Sequence, residues 1–329
     1  MYYSEYLQLD KLLTAQELES EKLGRPAHDE MLFIIIHQTY ELWFKQILFE
    51  VQSVQSMLSK EKIDDNGPEL HKISMRLNRV VEILKVLVHQ IDVIETMTAL
   101  DFLDFRDMLR PASGFQSVQF KEIEARLGLK MEQRHGKDYY TSQLTANDKT
   151  YIESVPVNQS VLELCAAWLS RMPFMDELEK ISFWKKYESL YSASLSDGEI
   201  TNMHAFRDLF MEEREGVSSR LNLRQRRAGL FIMLYRDLPI MQNPFRVLNL
   251  LLEIDELLAN WRWRHMNMVH RMIGLRAGTG GSSGRGYLRE AAMRHYIFGE
   301  IAELSSFMIE RSKLPSLPEN LMSRATFLR

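Results

Sequence analysis

The chain has 329 residues, 45% of them hydrophobic and 26% charged, the composition of a globular protein long enough for one large core or two smaller ones. Its net charge of −4 argues against a nucleic-acid or anionic-membrane surface, and a single cysteine, Cys165, excludes an intrachain disulfide framework and fits a reducing compartment. With no basic-then-apolar leader pattern and no apolar run approaching ~18 residues, the expected location is the cytoplasm, away from membranes.

Only 15 glycines and 9 prolines punctuate long stretches of helix formers, and neither alternating strand runs between tight turns nor an internal repeat is visible. The expected fold is all-α, a single large helical-bundle domain over 1–329 built of long amphipathic helices. Tyr2 to Leu9 is aromatic and apolar for a terminus, so it must be tied down, on its own domain or on a neighbour. Ala27-His28-Asp29-Glu30 leads into a long helix whose main core stripe is Leu32, Ile36, Trp43, Ile47, Val51, Val54 and Leu58. Phe33, His37, Tyr40, Glu41 and Phe44 fall on an adjacent face. There His37 is either an inert core residue or a hydrogen-bond partner for a flat heteroaromatic ligand.

The most regular helix follows, with Leu70, Ile73, Leu77, Val80, Leu84, Leu87, Ile91 and Ile94 in strict 3-4 alternation. That pattern is a bundle seam. Pro111, Ser113 and Gly114 then break the helix in Ala99 to Ser117. Arg106, flanked by Asp104 and Asp107, belongs either to a surface ion-pair cluster or to a buried carboxylate clamp. From Phe120 to about Met241 the helices are amphipathic, with breaks near Gly136, Asn147, Pro156 and Pro173. Trp168 and Trp184 are expected in the core, and the charged runs Glu212–Glu215 and Arg224–Arg227 read as solvated faces.

Asn243 before Pro244 signals a helix start, and Gly274 a left-handed stop. The predicted helix, Pro244 to about Ile273, carries Leu251, Ile254, Leu258, Trp261, His265, Met268 and Met272 on one stripe. His265 therefore occupies a core position. It is either satisfied by a neighbouring carbonyl or an axial ligand to iron already held by a porphyrin. His270, five residues on, lies about 140° further round the helix and cannot complete an i, i+4 zinc pair. The glycine-rich loop Gly278 to Gly284 lacks a P-loop ending and leaves a helix instead of starting one, so a mobile lid over 275–286 or a plain linker is expected. Tyr287 to Met308 is read as a closing helix, and Leu314 to Arg329 as a frayed tail except where it docks.

Three blocks, Met31 to Leu48 (with LFIIIHQTYELWFKQIL), Asp101 to Phe120, and Arg262 to Leu288 (with GTGGSSG), resemble the tryptophan 2,3-dioxygenase family of haem enzymes. The resemblance implies haem b bound between helices, with His265 as the proximal iron ligand. It implies His37 at the indole N–H, Phe33 packed on the ring, Phe102 lining the pocket, and Arg106 clamping the substrate carboxylate. Ser113 and Gly114 would lie against haem and substrate, with Thr279 of the lid meeting the ammonium group. Some relatives carry tyrosine where Phe102 stands, so a phenol role there is absent. The segment with Tyr3, Tyr6 and Leu7 would complete a neighbouring subunit's site in a homotetramer, a dimer of dimers. The implied reaction joins L-tryptophan and O₂ to give N-formyl-L-kynurenine, the first step of tryptophan degradation by the kynurenine pathway. A haem monooxygenase acting on a substituted tryptophan or indole, a non-enzymatic haem-binding protein, and a cofactor-free interaction protein are the alternatives.

Overall fold

The computed structural model describes residues 1–64, 67–130, 141–212, 219–274, 276, 289–290, 293 and 295–326. The described elements are α-helices and short 3-10 turns, with no strand among them. Five helices build the site and are numbered here: α1 (Asp29–Leu58), α2 (Pro68–Ile94), α3 (Ala99–Arg106), α4 (Val118–Leu127) and α5 (Pro239–Ile273).

The seam residues of α2 are all at most 5% exposed, and the helix lies between α1 and α5, its two main partners. Polar ties flank this apolar layer. The buried Glu50 carboxylate of α1 is met by Arg79 at 2.7 Å and Arg76 at 3.4 Å on α2. On the other side Lys85 pairs with Glu253 at 2.9 Å, and Arg264 reaches Asp92 at 2.6 Å and Glu95 at 3.1 Å. Pro68 at the first turn starts α2 where a missing N–H costs nothing. A reciprocal Thr98–Asp101 capping box starts α3.

The helix carrying His265 begins at Pro239, five residues before the Asn243-Pro244 signal. Pro239 is equally suited to a first turn. Burial of Met241, Val247 and Leu248 holds the helix through Pro244, offsetting a cost of about 3 kcal/mol for an interior proline. The helix Ala146–Ser154 runs through Asn147, because Thr145 caps it through the Asp148 N–H.

The Arg224–Arg227 run is no solvated face. Arg226 and Arg227 are buried and donate to the carbonyls of Leu209 and Phe210 at 2.8 Å each, and Arg227 pairs with Glu179. Of the other run, Glu213 to Glu215 lie outside the described residues. Trp168 and Trp184 are in the core as expected.

The expected closing helix is interrupted. Residues 295–298 are not helical, and an α-turn begins only at Gly299 and passes into a 3-10 turn at Leu304–Phe307. The buried Asp255 carboxylate accepts from the N–H groups of Ile297 and Phe298, which fixes these residues outside a helix. The tail docks through the helix Glu319–Thr326, with Leu321 and Ala325 buried and Arg324 on Glu177 at 2.8 Å. Among the described residues no helix is long and apolar enough to cross a membrane.

Candidate active site

The second face of α1 meets α3 at one end and α4 and α5 at the other. The Phe33 ring lies 4.1 Å from that of His37 and 5.6 Å from those of Phe102 and Phe105 on α3. Two turns along, Tyr40 and Phe44 meet Trp261 at 6.0 and 6.5 Å, and Phe120 of α4 closes the group on Phe44 and Trp261 at 5.4 and 4.9 Å. Trp261 in turn stacks flat on His265, with centroids 5.1 Å apart and planes 4° from parallel. Two aromatic groups thus lie along this face of α1, one at α3 and one reaching His265.

His37 and His265 stand on separate helices, near enough that a charge on the His37 imidazole is felt at His265. Burial pushes the His265 pKa down to about 4, and His37 adds to that fall. Neither residue is fully buried. At neutral pH His265 keeps its nitrogen lone pair for a ligand.

The tautomer of His37 follows from its partner. Nδ1 lies 2.7 Å from the Phe33 carbonyl oxygen, which can only accept, so Nδ1 carries the hydrogen and Nε2 is an acceptor. Burial lowers the His37 pKa against smaller opposing contributions from the Phe33 carbonyl and Glu41, so this neutral form holds at neutral pH.

Arg106 ends α3 and is buried, which rules out the surface-cluster reading. Asp107 turns instead to Arg110 at 3.3 Å, and Asp104 is exposed. Ser113 is partly committed to local structure. Its hydroxyl accepts from the Phe115 N–H at 3.4 Å while Gln116 accepts from the Ser113 N–H at 3.2 Å. A Cβ added to Gly114 would meet nothing within 4 Å, so this backbone borders open space.

Thr279 and most of the lid 275–286 lie outside the described residues. Tyr3, Tyr6 and Leu7 are 75%, 71% and 41% exposed, and their own chain does not cover them. Trp261 was visible in the sequence only as a member of the stripe. Its spacing of four from His265 was the signal that it would lie over the ring.

A haem site is compatible with these residues. Among the described residues no three His, Cys, Asp or Glu side chains are grouped to hold a metal ion, whereas porphyrin-held iron needs one neutral imidazole from the chain. The Trp261 indole N–H beside His265 is buried without a hydrogen-bond acceptor, although the Tyr40 hydroxyl is near enough to feel it.

A family model described as tryptophan 2,3-dioxygenase matches residues 1–217 and 211–308 of the chain. The chain is 41% identical to the tryptophan 2,3-dioxygenase of Bdellovibrio bacteriovorus, covering 99% of this chain and 98% of that protein. It is 42% identical to the enzyme of that name from Dictyostelium discoideum, covering 99% and 88%, and 40% identical to that from Aedes aegypti, covering 96% and 87%.

Proposed function

The chain belongs to the tryptophan 2,3-dioxygenase family, and from that premise we propose that it inserts both atoms of O₂ across the indole C2–C3 bond of L-tryptophan, giving N-formyl-L-kynurenine. The family is haem-dependent, and haem b held by His265 would supply the O₂ chemistry when bound. The observation that carries the reading is the pair of neutral imidazoles, His37 and His265, on separate helices and each packed against an aromatic ring.

The protein's part is position and polarity. His37 Nε2 accepts the indole N–H, Phe33 and Phe102 flank the ring, and Arg106 binds the carboxylate by charge-assisted hydrogen bonds. Ser113 and Gly114 border haem and substrate, and Thr279 meets the ammonium group. Exposure of Tyr3, Tyr6 and Leu7 supports their packing on a neighbouring subunit, in a homotetramer arranged as a dimer of dimers.

The test is an aerobic absorption scan of the haem-loaded, reduced protein after addition of L-tryptophan. Growth of the near-ultraviolet band of N-formylkynurenine is the expected result. A haem spectrum that responds to tryptophan without that product would overturn the reaction, and failure to take up haem would return His265 to the core.

A further inference from the structure

Next to Trp261, on the side of α5 that meets α4, lies an ion pair to which the reading above gives no task. Arg262 and Glu124 are 4% and 3% exposed. The Arg262 guanidinium donates through Nη2 to Glu124 Oε1 at 2.8 Å and through Nη1 to the His295 carbonyl at 3.2 Å. Seven residues earlier, which returns a helix to within about 20° of the same direction, Asp255 holds the N–H of Ile297 at 3.0 and 2.9 Å and that of Phe298 at 2.5 Å. One face of α5 therefore presents a cation to a carbonyl and an anion to two amides, and so grips residues 295–298 at two points.

The same guanidinium sets α4. Phe120 packs on Trp261, and one turn further Glu124 meets Arg262, giving an apolar rung and then an ionic rung between the two helices. Apolar contact is non-directional and tolerates sliding, whereas a buried charged hydrogen bond has one good geometry. Such pairs add little net stability, because desolvation cancels much of the attraction, and setting a register is their best-attested use. Here the register matters for chemistry. The chain runs from Arg106 through two 3-10 turns, Asp107–Leu109 and Gly114–Gln116, into α4, so the position of α4 along α5, together with the direct packing of α3 on α1 and α5, sets where the carboxylate-binding arm stands relative to His265.

We propose that Arg262 and Glu124 are positioning residues that lock the Arg106-bearing arm in register with the helix carrying His265, with Asp255 holding the third segment of the clamp. The inference rests on the function proposed above. Arg262→Lys keeps the charge but loses the fork that spans Glu124 and the His295 carbonyl. The neutral pair Glu124→Leu with Arg262→Met removes both charges together, so that neither is left buried alone, although the His295 carbonyl loses its Arg262 donor.

Each haem-loaded ferric protein is titrated with L-tryptophan and with tryptamine, which lacks only the carboxylate, following the haem absorption band. Haem stoichiometry and apoprotein melting are measured alongside. In whichever variant folds, haem uptake and tryptamine affinity should be unchanged while L-tryptophan affinity falls about tenfold or more, the scale of a displaced charged hydrogen bond. Equal losses for both ligands would mark the pair as merely structural, and undiminished L-tryptophan affinity in the neutral pair would remove its role; either overturns the proposal. Failure of the parent itself to take up haem, or to prefer L-tryptophan to tryptamine, would overturn the functional reading and this inference with it.

Discussion

His37 has one ring nitrogen committed and one to offer. Because Nδ1–H is spent on the Phe33 carbonyl at 2.7 Å, Nε2 is the nitrogen that the proposed function assigns to the indole N–H. His37→Phe would keep an aromatic ring against Phe33 and remove only the acceptor. A buried donor left without a partner costs about 1–3 kcal/mol, so L-tryptophan should bind about five- to 150-fold more weakly. The assay compares L-tryptophan with its benzothiophene isostere, whose sulfur replaces the N–H, by titration of the ferric haem-loaded protein. The parent should favour L-tryptophan, and the variant should bind the two alike. The same logic fixes a pH dependence. Burial holds the His37 pKa below the ordinary 6.5, so only at more acid pH does Nε2 gain a hydrogen and face the indole N–H as a second donor. L-tryptophan affinity should then fall while that of the isostere stays level. Equal losses for both ligands in His37→Phe would refute the assignment, since the residue would then be acting through shape alone.

Arg106→Met, which preserves bulk at a buried position, should raise KM for L-tryptophan roughly 10- to 140-fold, the value of a charged hydrogen bond, with haem content unchanged; loss of haem instead would make Arg106 structural. His265→Ala should abolish stable haem uptake while circular dichroism and melting of the apoprotein stay close to the parent, and a normal haem spectrum in that variant would remove the ligand assignment. Asp255, whose pKa burial raises to about 6 from 3.8, stabilises the fold most when protonated. That contribution is complete below the unfolded value and is lost as pH rises through the folded one. Relative to Asp255→Asn, the parent should therefore lose about 2 kcal/mol between about pH 4 and pH 7. Urea unfolding at the two pH values measures this, and a parent–variant difference independent of pH would show that Asp255 is not the group responsible.

Helix periodicity was legible wherever one face is purely apolar. Every seam residue of α2, from Leu70 to Ile94, is buried as its spacing predicts, because a 3-4 stripe has only one way to leave water. Reading failed where a polar group decides the backbone. The break at 295–298 depends on Asp255, forty residues away in sequence, taking amides that a closing helix would have used itself. Arg226 and Arg227 misled for a related reason, since their partners are carbonyls of Leu209 and Phe210, and a carbonyl acceptor leaves no mark in composition. Periodicity placed His37 and His265 on inward faces, but a core histidine and a ligand histidine leave the same 3-4 pattern, so spacing does not separate the two roles.

The electrostatics of the two imidazoles favour a particular kind of ligand. Both are neutral at neutral pH, His37 held below its ordinary value and His265 pushed down to about 4, each chiefly by burial, so they can answer an N–H or a metal and carry no charge of their own. The permanent charge at the described part of the site comes from the buried guanidinium of Arg106. A free indole has no group that answers a guanidinium, whereas the tryptophan carboxylate can accept charged hydrogen bonds from one. On the proposed function the ring would be held by groups that recognise any indole, and selection for the amino acid would fall on Arg106 at the end of α3. That separation predicts that substitutions around His37 alter tolerance at the ring, those around Arg106 alter tolerance at the side chain, and the two sets of effects add unless they meet through α4.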